Sequence, residues 1–323
     1  MTTINGNGLS WRSNRRHQGS AGNDTALLSG LPAPRRHPAR LVLVAAVLVL
    51  LAMLVNSIVR NPNMQWPVVG SYFLSQQVLT GIVRTLALTA TAIAISLILG
   101  TLLAVMSMSE SRVIRLGSRT YVNFFRGSPV LIQVIVWFNL ALLFPRIGIG
   151  IPFGPVFYQT PVNSFMTPLL AGILGLGLNE ASYMSEVVRG GLLSVPAGQR
   201  EAAKTIGLSS WQTLHAVVLP QAIRVMIPTI GNEVIGMLKT TSIVSVVAMP
   251  ELLYSVELIY ARTGQVVPLL VVALIWYLII TTILTIGQRY LERHFGRSVS
   301  APRLGRPKGT PSPAPTKRGD HDR

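Results

Sequence analysis

The sequence predicts an all-α polytopic membrane protein with about six transmembrane helices, and three observations support this fold class. Half of the 323 residues are hydrophobic and only 12% are charged, whereas a typical soluble domain carries about 25% charged residues. Apolar runs of about 18 residues or more recur along the chain, which is the length that a helix needs to cross a bilayer. The chain has no cysteine, which excludes disulfide scaffolds and thiolate metal sites. A soluble enzyme and a disordered protein are excluded as well.

Six apolar runs are the candidate membrane spans, and polar residues interrupt the third and the fourth. The first run follows a basic polar leader that is far longer than the short basic region of a secretory signal. This length favours a retained helix over a cleaved signal peptide. The six runs are Leu41–Val59, Thr85–Met106, Val130–Phe144, Pro168–Tyr183, Ile223–Val247 and Val267–Ile286.

The distribution of basic residues predicts the orientation of these spans. The net charge is +17, from 28 Lys and Arg residues against 11 Asp and Glu residues. With the N-terminus in the cytoplasm, twenty-three basic residues fall inside, four fall outside, and Lys239 lies within a span. Lys and Arg are enriched on the cytoplasmic side of membrane proteins. We therefore expect a multi-pass membrane protein with both termini in the cytoplasm (N-in/C-in).

The segment between the fourth and fifth spans is too patterned to be a passive connector. It predicts two short helices: Ser194 or Pro196 begins the first, Gly207 ends it, and Ser209 or Ser210 caps the second. Each helix carries a small apolar face, which indicates docking onto another surface. The faces consist of Ala202, Ala203 and Ile206 in the first helix, and of Trp211, Leu214 and Val218 in the second.

The same segment resembles the EAA loop of ABC importer permeases. The resemblance begins with Glu201-Ala202-Ala203 and Gly207, and it continues in Val217-Val218-Leu219-Pro220. Flanking phrases narrow it to the polar amino acid type, which serves histidine, glutamate, glutamine, arginine and opines. These phrases are Phe125–Gln133, Arg189–Gln199, Leu219–Arg224 and Lys239–Ser242. The resemblance covers about residues 61–295 and makes the chain similar to a permease subunit of an ATP-driven importer.

This resemblance implies a fold and a set of partners. The fold is the type I ABC importer transmembrane domain, also called MetI-like. The partners are a cytoplasmic ABC ATPase dimer, a second permease subunit in a homo- or heterodimer, and an extracytoplasmic solute-binding protein. The chain would line the pathway of an amino acid substrate across the lipid bilayer. The ATPase-coupling residues that the resemblance implies are Glu201, Ala202, Ala203, Gly207, Leu219 and Pro220.

Composition and resemblance together predict that the chain divides into four segments. Residues 1–38 form a disordered basic cytoplasmic leader, and residues 39–60 an extra N-terminal transmembrane helix that many family members lack. Residues 61–295 form the ABC permease transmembrane domain, whose EAA loop spans residues 192–220. Residues 296–323 form a disordered basic tail. Both termini are predicted to be disordered because they cannot bury enough apolar surface to offset the entropy of ordering.

The sequence contains no catalytic constellation. There is no Gly-x-x-x-x-Gly-Lys-Ser/Thr phosphate loop, no paired histidines at metal-binding spacing and no Gly-x-Ser-x-Gly motif. We therefore expect a subunit that is not an enzyme and has no cofactor or metal of its own. ATP would be bound and hydrolysed by the partner subunit.

Polar residues inside the spans are the candidates for the substrate pathway, because ionisable groups are costly in lipid. Glu233 lies about 15 Å into the fifth span, near the middle of the bilayer. Asn179, Tyr183 and Glu186 share one face of the fourth span. The alternative is that such residues only hold the bundle together through hydrogen bonds between helices. The candidates are Asn179, Glu180, Tyr183, Glu186, Asn232, Glu233, Lys239 and Thr240. Many family members carry Asp at the position of Thr240.

Three other readings are open at this stage. An ion-coupled secondary transporter would show a repeated half and paired broken spans, and neither is evident. A membrane-tethered regulator would use residues 196–220 as a DNA-binding helix-turn-helix, but flanking spans tether both ends of this segment. We therefore expect no nucleic acid partner. In the third reading, residues 196–220 are a helical hairpin that packs only on its own bundle.

Overall fold

The computed structural model describes residues 38–151 and 154–296, with side chains from 42 to 294 within these ranges. The predicted disordered leader and tail fall almost wholly outside the described residues. The chain divides into two compact units, Met1–Asn61 and Pro62–Arg323. The first unit contributes one described helix, and the second contains all the other elements.

The described elements are helical apart from one hairpin. The helices are α1 (Pro38–Arg60), α2 (Trp66–Phe73), α3 (Gln76–Ser107), α4 (Arg112–Gly127), α5 (Val130–Phe138), α6 (Leu140–Leu143), α7 (Pro168–Leu193), α8 (Ala197–Thr205), α9 (Ser210–Thr213), α10 (Leu219–Thr240), α11 (Leu252–Thr263) and α12 (Val266–Gly296). The strands are β1 (Arg146–Gly150) and β2 (Val156–Pro161), which pair antiparallel with Arg146 opposite Pro161.

The described part of the first unit is mainly a single apolar helix. The helix α1 has 23 residues, and every described side chain from Val42 to Arg60 is exposed. At 1.5 Å per residue it is about 34 Å long, which is enough to cross a hydrocarbon core about 30 Å thick. It coincides with the first predicted span.

Close approach between α3 and α7 forms the centre of the second unit. A Cβ atom added at Gly100 would lie 2.8 Å from the Cβ of Met184 and 2.9 Å from the Ser185 nitrogen. One added at Gly175 would lie 2.5 Å from a methyl group of Val134 in α5. Small residues allow this packing because membrane helices associate through van der Waals contact rather than through the hydrophobic effect.

A buried carboxylate connects α3, α11 and α12. Glu251 is fully buried and accepts hydrogen bonds from the Tyr277 hydroxyl at 2.8 Å and the Thr85 hydroxyl at 3.3 Å. It also caps α11 by accepting from the Tyr254 backbone nitrogen at 2.8 Å. A buried carboxylate is tolerated when its oxygens are satisfied in this way. This network was not predicted from the sequence.

The predicted spans and the observed helices agree in four places. Among the described residues, four helical stretches are long and apolar enough to cross a membrane, and they overlap the first, second, fifth and sixth predicted spans. These stretches are Val42–Arg60, Gln76–Ser107, Ser210–Val247 and Val266–His294. The fourth predicted span is α7, whose apolar sequence is interrupted by Asn179 and Glu180.

The third predicted span is not one continuous helix. It breaks at Asn139 into α5 and α6, with nine and four residues. The helices α2, α4 and α11 were not predicted, and neither was the β1–β2 hairpin that the all-α description omits. The hairpin forms because two nearby exposed segments can pair locally, whatever their hydropathy.

Candidate functional site

A polar cavity of about 250 Å³ lies where α7, α10 and the start of α5 meet. Apolar side chains form part of its wall, including Val130, Leu176 and Met237. Polar side chains from α7 and α10 face each other across the rest. The polar lining residues are Asn179, Glu180, Tyr183, Glu233 and Thr240. All five are among the candidates that the sequence analysis selected for a substrate pathway.

Three other candidates lie outside this cavity. Glu186 forms an ion pair with Arg189 on its own helix, at 2.5 Å between Oε2 and Nη2. Asn232 accepts a hydrogen bond at 2.9 Å from Gln288 of α12. Lys239 is exposed. These three residues lie outside the cavity although they are close to it in the sequence, because each step along a helix rotates the side chain by about 100° and advances it by about 1.5 Å.

The two carboxyl groups of the cavity meet between α7 and α10. The carboxyl groups of Glu180 and Glu233 are close enough to share a hydrogen bond. Glu180 is only 8% exposed, and its Oε1 atom has no hydrogen-bond partner among the described residues. A buried polar atom without a partner is uncommon and requires an explanation.

The chain between α4 and α5 forms a fixed rim for the cavity. The Asn179 amide nitrogen donates to the Phe125 carbonyl oxygen at 2.7 Å. The Gln133 amide nitrogen donates to the same oxygen at 3.1 Å and to the Ser128 hydroxyl at 2.8 Å. The Arg126 guanidinium lies 4.9 Å from the centre of the Tyr183 ring, a cation–π contact. These contacts were not predicted from the sequence, and those of Asn179 and Tyr183 join residues more than fifty positions apart.

The EAA loop, residues 192–220, begins with the short helix that the sequence predicted. Pro196 immediately precedes α8, and Gly207 follows it with a φ angle of 84°. The Gly207 and Leu208 nitrogens donate back to the Lys204 and Ala203 carbonyl oxygens, which closes the helix end. This left-handed conformation favours glycine because a Cβ atom would be strained there.

The second predicted helix begins as expected but does not stand alone. Ser209 and Gln212 form a reciprocal capping box at its start. From α9 the chain continues through a π-helical turn at Leu214–Val218 into α10, where Leu219 and Pro220 begin the long helix. Pro220 has no N–H to donate, and a π-helical turn of this kind accommodates such a break.

The apolar faces of the loop divide differently from the prediction. Ala203 and Val218 are buried, and Val218 packs in a core cluster with Ala104, Val188 and Ala222. Ile206 is 77% exposed and Trp211 is 69% exposed. Ala202, which was predicted to share a face with Ala203, is exposed too, because neighbouring helical residues diverge by about 100°.

The basic residues of the loop lie beside a shallow pocket. This pocket has a volume of about 240 Å³, and Leu192 and Leu214 supply apolar wall. Arg200 and Lys204 also line it, and an Arg200 guanidinium nitrogen donates to the Leu192 carbonyl oxygen. The EAA loop therefore combines buried contacts to its own unit with an outward surface that is both apolar and charged, with Glu201 exposed on it.

Comparison with known families settles what kind of protein carries these two sites. Residues 92–297 match the family described as the binding-protein-dependent transport system inner membrane component. The chain belongs to this family. It is a multi-pass membrane permease, and the family resemblance drawn from the sequence motifs is confirmed. Neither the secondary transporter nor the DNA-binding regulator is supported.

Relatives of this permease family match over most of the chain. The arginine transport system permease protein ArgU of Corynebacterium glutamicum is 41% identical over 270 residues, covering 81% of this chain and 82% of the relative. The glutamate/aspartate import permease protein GltK of Escherichia coli O157:H7 is 32% identical over 220 residues, covering 67% and 92%. The L-cystine transport system permease protein TcyB of Bacillus subtilis is 33% identical over 237 residues, covering 73% and 89%.

Solved structures of importers share the fold. An amino acid ABC transporter crystallised with histidines matches with a TM-score of 0.58 and 29% identity, covering 68% of this chain and 94% of that one. The inward-facing MetNI methionine ABC transporter matches with a TM-score of 0.53 over 69% and 99%, and at 16% identity this likeness shows the fold alone. The predicted MetI-like fold is confirmed.

Proposed function

We propose that the chain is the permease subunit of an ATP-driven ABC importer for polar amino acids in the inner membrane. The observation that carries this proposal is the connection between the two sites. The cavity lies between α7 and α10, and the EAA loop joins the end of α7 to the start of α10. A force applied to the loop therefore reaches both helices that line the cavity.

The relatives support amino acids as the substrate class. Their names specify arginine, glutamate and aspartate, and L-cystine, which all share an α-ammonium and an α-carboxylate group. The cavity offers carboxyl oxygens from Glu180 and Glu233 and polar groups from Asn179, Tyr183 and Thr240. Such groups complement a zwitterion better than an apolar solute.

The exposed side of the EAA loop is the proposed contact with a cytoplasmic ABC ATPase dimer. Ile206 and Trp211 are large apolar side chains that a partner surface would cover. Glu201 would pair with a basic group of the ATPase, and exposed Ala202 would allow close approach. Ala203 would instead anchor α8 to its own bundle, and Leu219 and Pro220 would transmit the movement into α10. ATP would bind to the ATPase, so this subunit would need no cofactor.

The proposed assembly also contains a second permease subunit and an extracytoplasmic solute-binding protein. The family description, a component of a binding-protein-dependent system, supports the solute-binding protein. The orientation that we propose has both termini in the cytoplasm, which places the EAA loop on the side of the ATPase.

A pair of glycine substitutions tests the coupling role of the loop. Gly207→Ala forces a side chain into the left-handed conformation, whereas Gly198→Ala within α8 meets open space at an ordinary φ angle. We expect Gly207→Ala to weaken ATPase co-purification and ATP-driven amino acid uptake by about tenfold, because the strain costs about 1–2 kcal/mol. Gly198→Ala should leave both unchanged. Equal behaviour of the two variants would contradict the coupling role.

A further inference from the structure

The cavity between α7 and α10 carries an unbalanced charge. It contains two carboxyl groups, from Glu180 and Glu233, and none of the described residues that line it is Lys, Arg or His. Carboxylates removed from water are stable only when a cation or hydrogen-bond donors compensate them. The cavity wall supplies little of this compensation to Glu180, whose Oε1 atom has no partner among the described residues.

The basic residues near the cavity are not among the residues that line it. The Arg126 guanidinium lies over the Tyr183 ring. Arg189 is paired with Glu186 through two hydrogen bonds, at 2.5 and 3.0 Å. Lys239 is exposed and does not line the cavity. Because no described residue that lines the cavity is basic, the compensation is left to a proton shared by the two carboxyl groups or to a cationic solute.

We infer that the cavity selects amino acids with a cationic side chain, and that Glu180 is a specificity-determining residue. Such a solute carries two positive groups, the α-ammonium and the side-chain cation, which match the two carboxylates Glu180 and Glu233. The Tyr183 hydroxyl, which also lines the cavity, remains for the single α-carboxylate. A cationic side chain can replace the proton that the two carboxyl groups otherwise share, whereas a neutral side chain cannot, and an anionic side chain would be repelled.

This inference rests on the proposed function, and the test separates the two. L-arginine and L-citrulline have nearly the same shape, but citrulline carries a neutral urea group in place of the guanidinium. Binding of each is measured on the purified permease–ATPase complex without the solute-binding protein, so that the permease alone discriminates. ATP-driven uptake of L-arginine by the complete importer in proteoliposomes is measured in parallel.

We expect the unmodified complex to bind L-arginine at least about tenfold more tightly than L-citrulline, because a buried charge pair that loses one partner becomes costly. Glu180→Gln should reduce this preference to about twofold or less, since a neutral amide attracts both ligands similarly. Glu257→Gln provides the matched control. It removes a half-buried carboxylate on α11 that does not line the cavity, and it should keep the full preference.

Two outcomes would overturn the inference without touching the proposed function. They are equal binding of L-arginine and L-citrulline by the unmodified complex, and a preference that Glu180→Gln leaves intact. An importer that moves no amino acid would contradict the proposed function itself. If Glu180→Gln fails to assemble, the comparison of L-arginine with L-citrulline on the unmodified complex still tests the inference. Glu180→Asp, which retains the charge, then provides the second variant.

Discussion

The cavity and the EAA loop depart from the ordinary distribution of residues in opposite ways. In the cavity, polar side chains are enclosed between helices, and the carboxyl group of Glu180 is almost fully buried. In the loop, the large apolar side chains of Ile206 and Trp211 are mostly exposed. A buried polar group without a partner and an exposed apolar patch are the two most informative departures from normal burial. The first indicates a small polar solute and the second a protein partner.

The two regions also differ in how they are built. The loop is defined by local hydrogen bonds, such as the capping box of Ser209 and Gln212 and the helix end at Gly207. The cavity is defined by contacts between distant segments, such as that of Asn179 with Phe125. Because α7 and α10 belong to both regions, we expect substitutions to separate binding from coupling only when they avoid the shared helix framework.

The largest effect is expected from a residue that belongs to neither region, Glu251, whose side chain is buried like that of Glu180 but fully hydrogen-bonded. Glu251→Ala would leave the Tyr277 hydroxyl and the Tyr254 amide without this acceptor, at a cost of about 1–3 kcal/mol for each group. Thermal unfolding of the purified permease should shift clearly downward, and both ligand binding and ATPase association should be lost together. Glu257→Ala on the same helix, which is only half-buried, should be much milder. A stable Glu251→Ala variant would show that hydrogen bonding does not distinguish the two buried carboxylates.

A smaller but selective effect is expected in the loop. Trp211→Asp places a charge on the most prominent exposed aromatic side chain of α9. A buried aromatic anchor at an interface commonly contributes about 2 kcal/mol or more to binding, so ATPase co-purification and uptake should fall by more than about tenfold. Trp211→Phe retains an aromatic anchor and should retain most of both. Amino acid binding by any complex that does assemble should be unchanged, and a loss of that binding would break the separation between the two regions.

The mildest effect is expected for the carboxylate that faces Glu180. Glu233→Gln should weaken amino acid binding by about tenfold, because one charge-assisted hydrogen bond contributes about 1.5–3 kcal/mol and the neutral amide replaces only part of it. ATPase co-purification should not change. The measurement is uptake kinetics across a panel of arginine, glutamine and glutamate.

Glu186→Gln is the matched control for that experiment. Glu186 lies on the same helix as Glu180 but outside the cavity, in an ion pair with Arg189 whose side chains are more than a third exposed. Exposed pairs of this kind contribute about 0–1 kcal/mol after solvent screening, so uptake should remain within about twofold. Identical uptake kinetics for Glu233→Gln and the unmodified permease would remove Glu233 from the substrate pathway.

Local features of this protein could be predicted from the sequence because each depends on residues only a few positions apart. The start of α8 after Pro196, the left-handed Gly207 and the cap at Ser209 agree with the expectation. The apolar composition of four membrane spans was predicted for the same reason, since transfer into lipid depends on the sum over one segment. The division of the third span at Asn139 was not predicted, because a polar residue within an apolar run does not by itself show that the helix ends there.

The sequence by itself determined the class of protein, the position of the EAA loop and a short set of polar residues within its spans. Only the tertiary structure decided which of these residues meet. Glu233 lines the cavity, while its neighbour Asn232 accepts a hydrogen bond from Gln288. Glu251 is hydrogen-bonded to Thr85, which lies 166 positions away in the sequence. The physical reason is that hydropathy and capping are properties of one segment, whereas a shared cavity depends on the rotation and packing of several helices against one another.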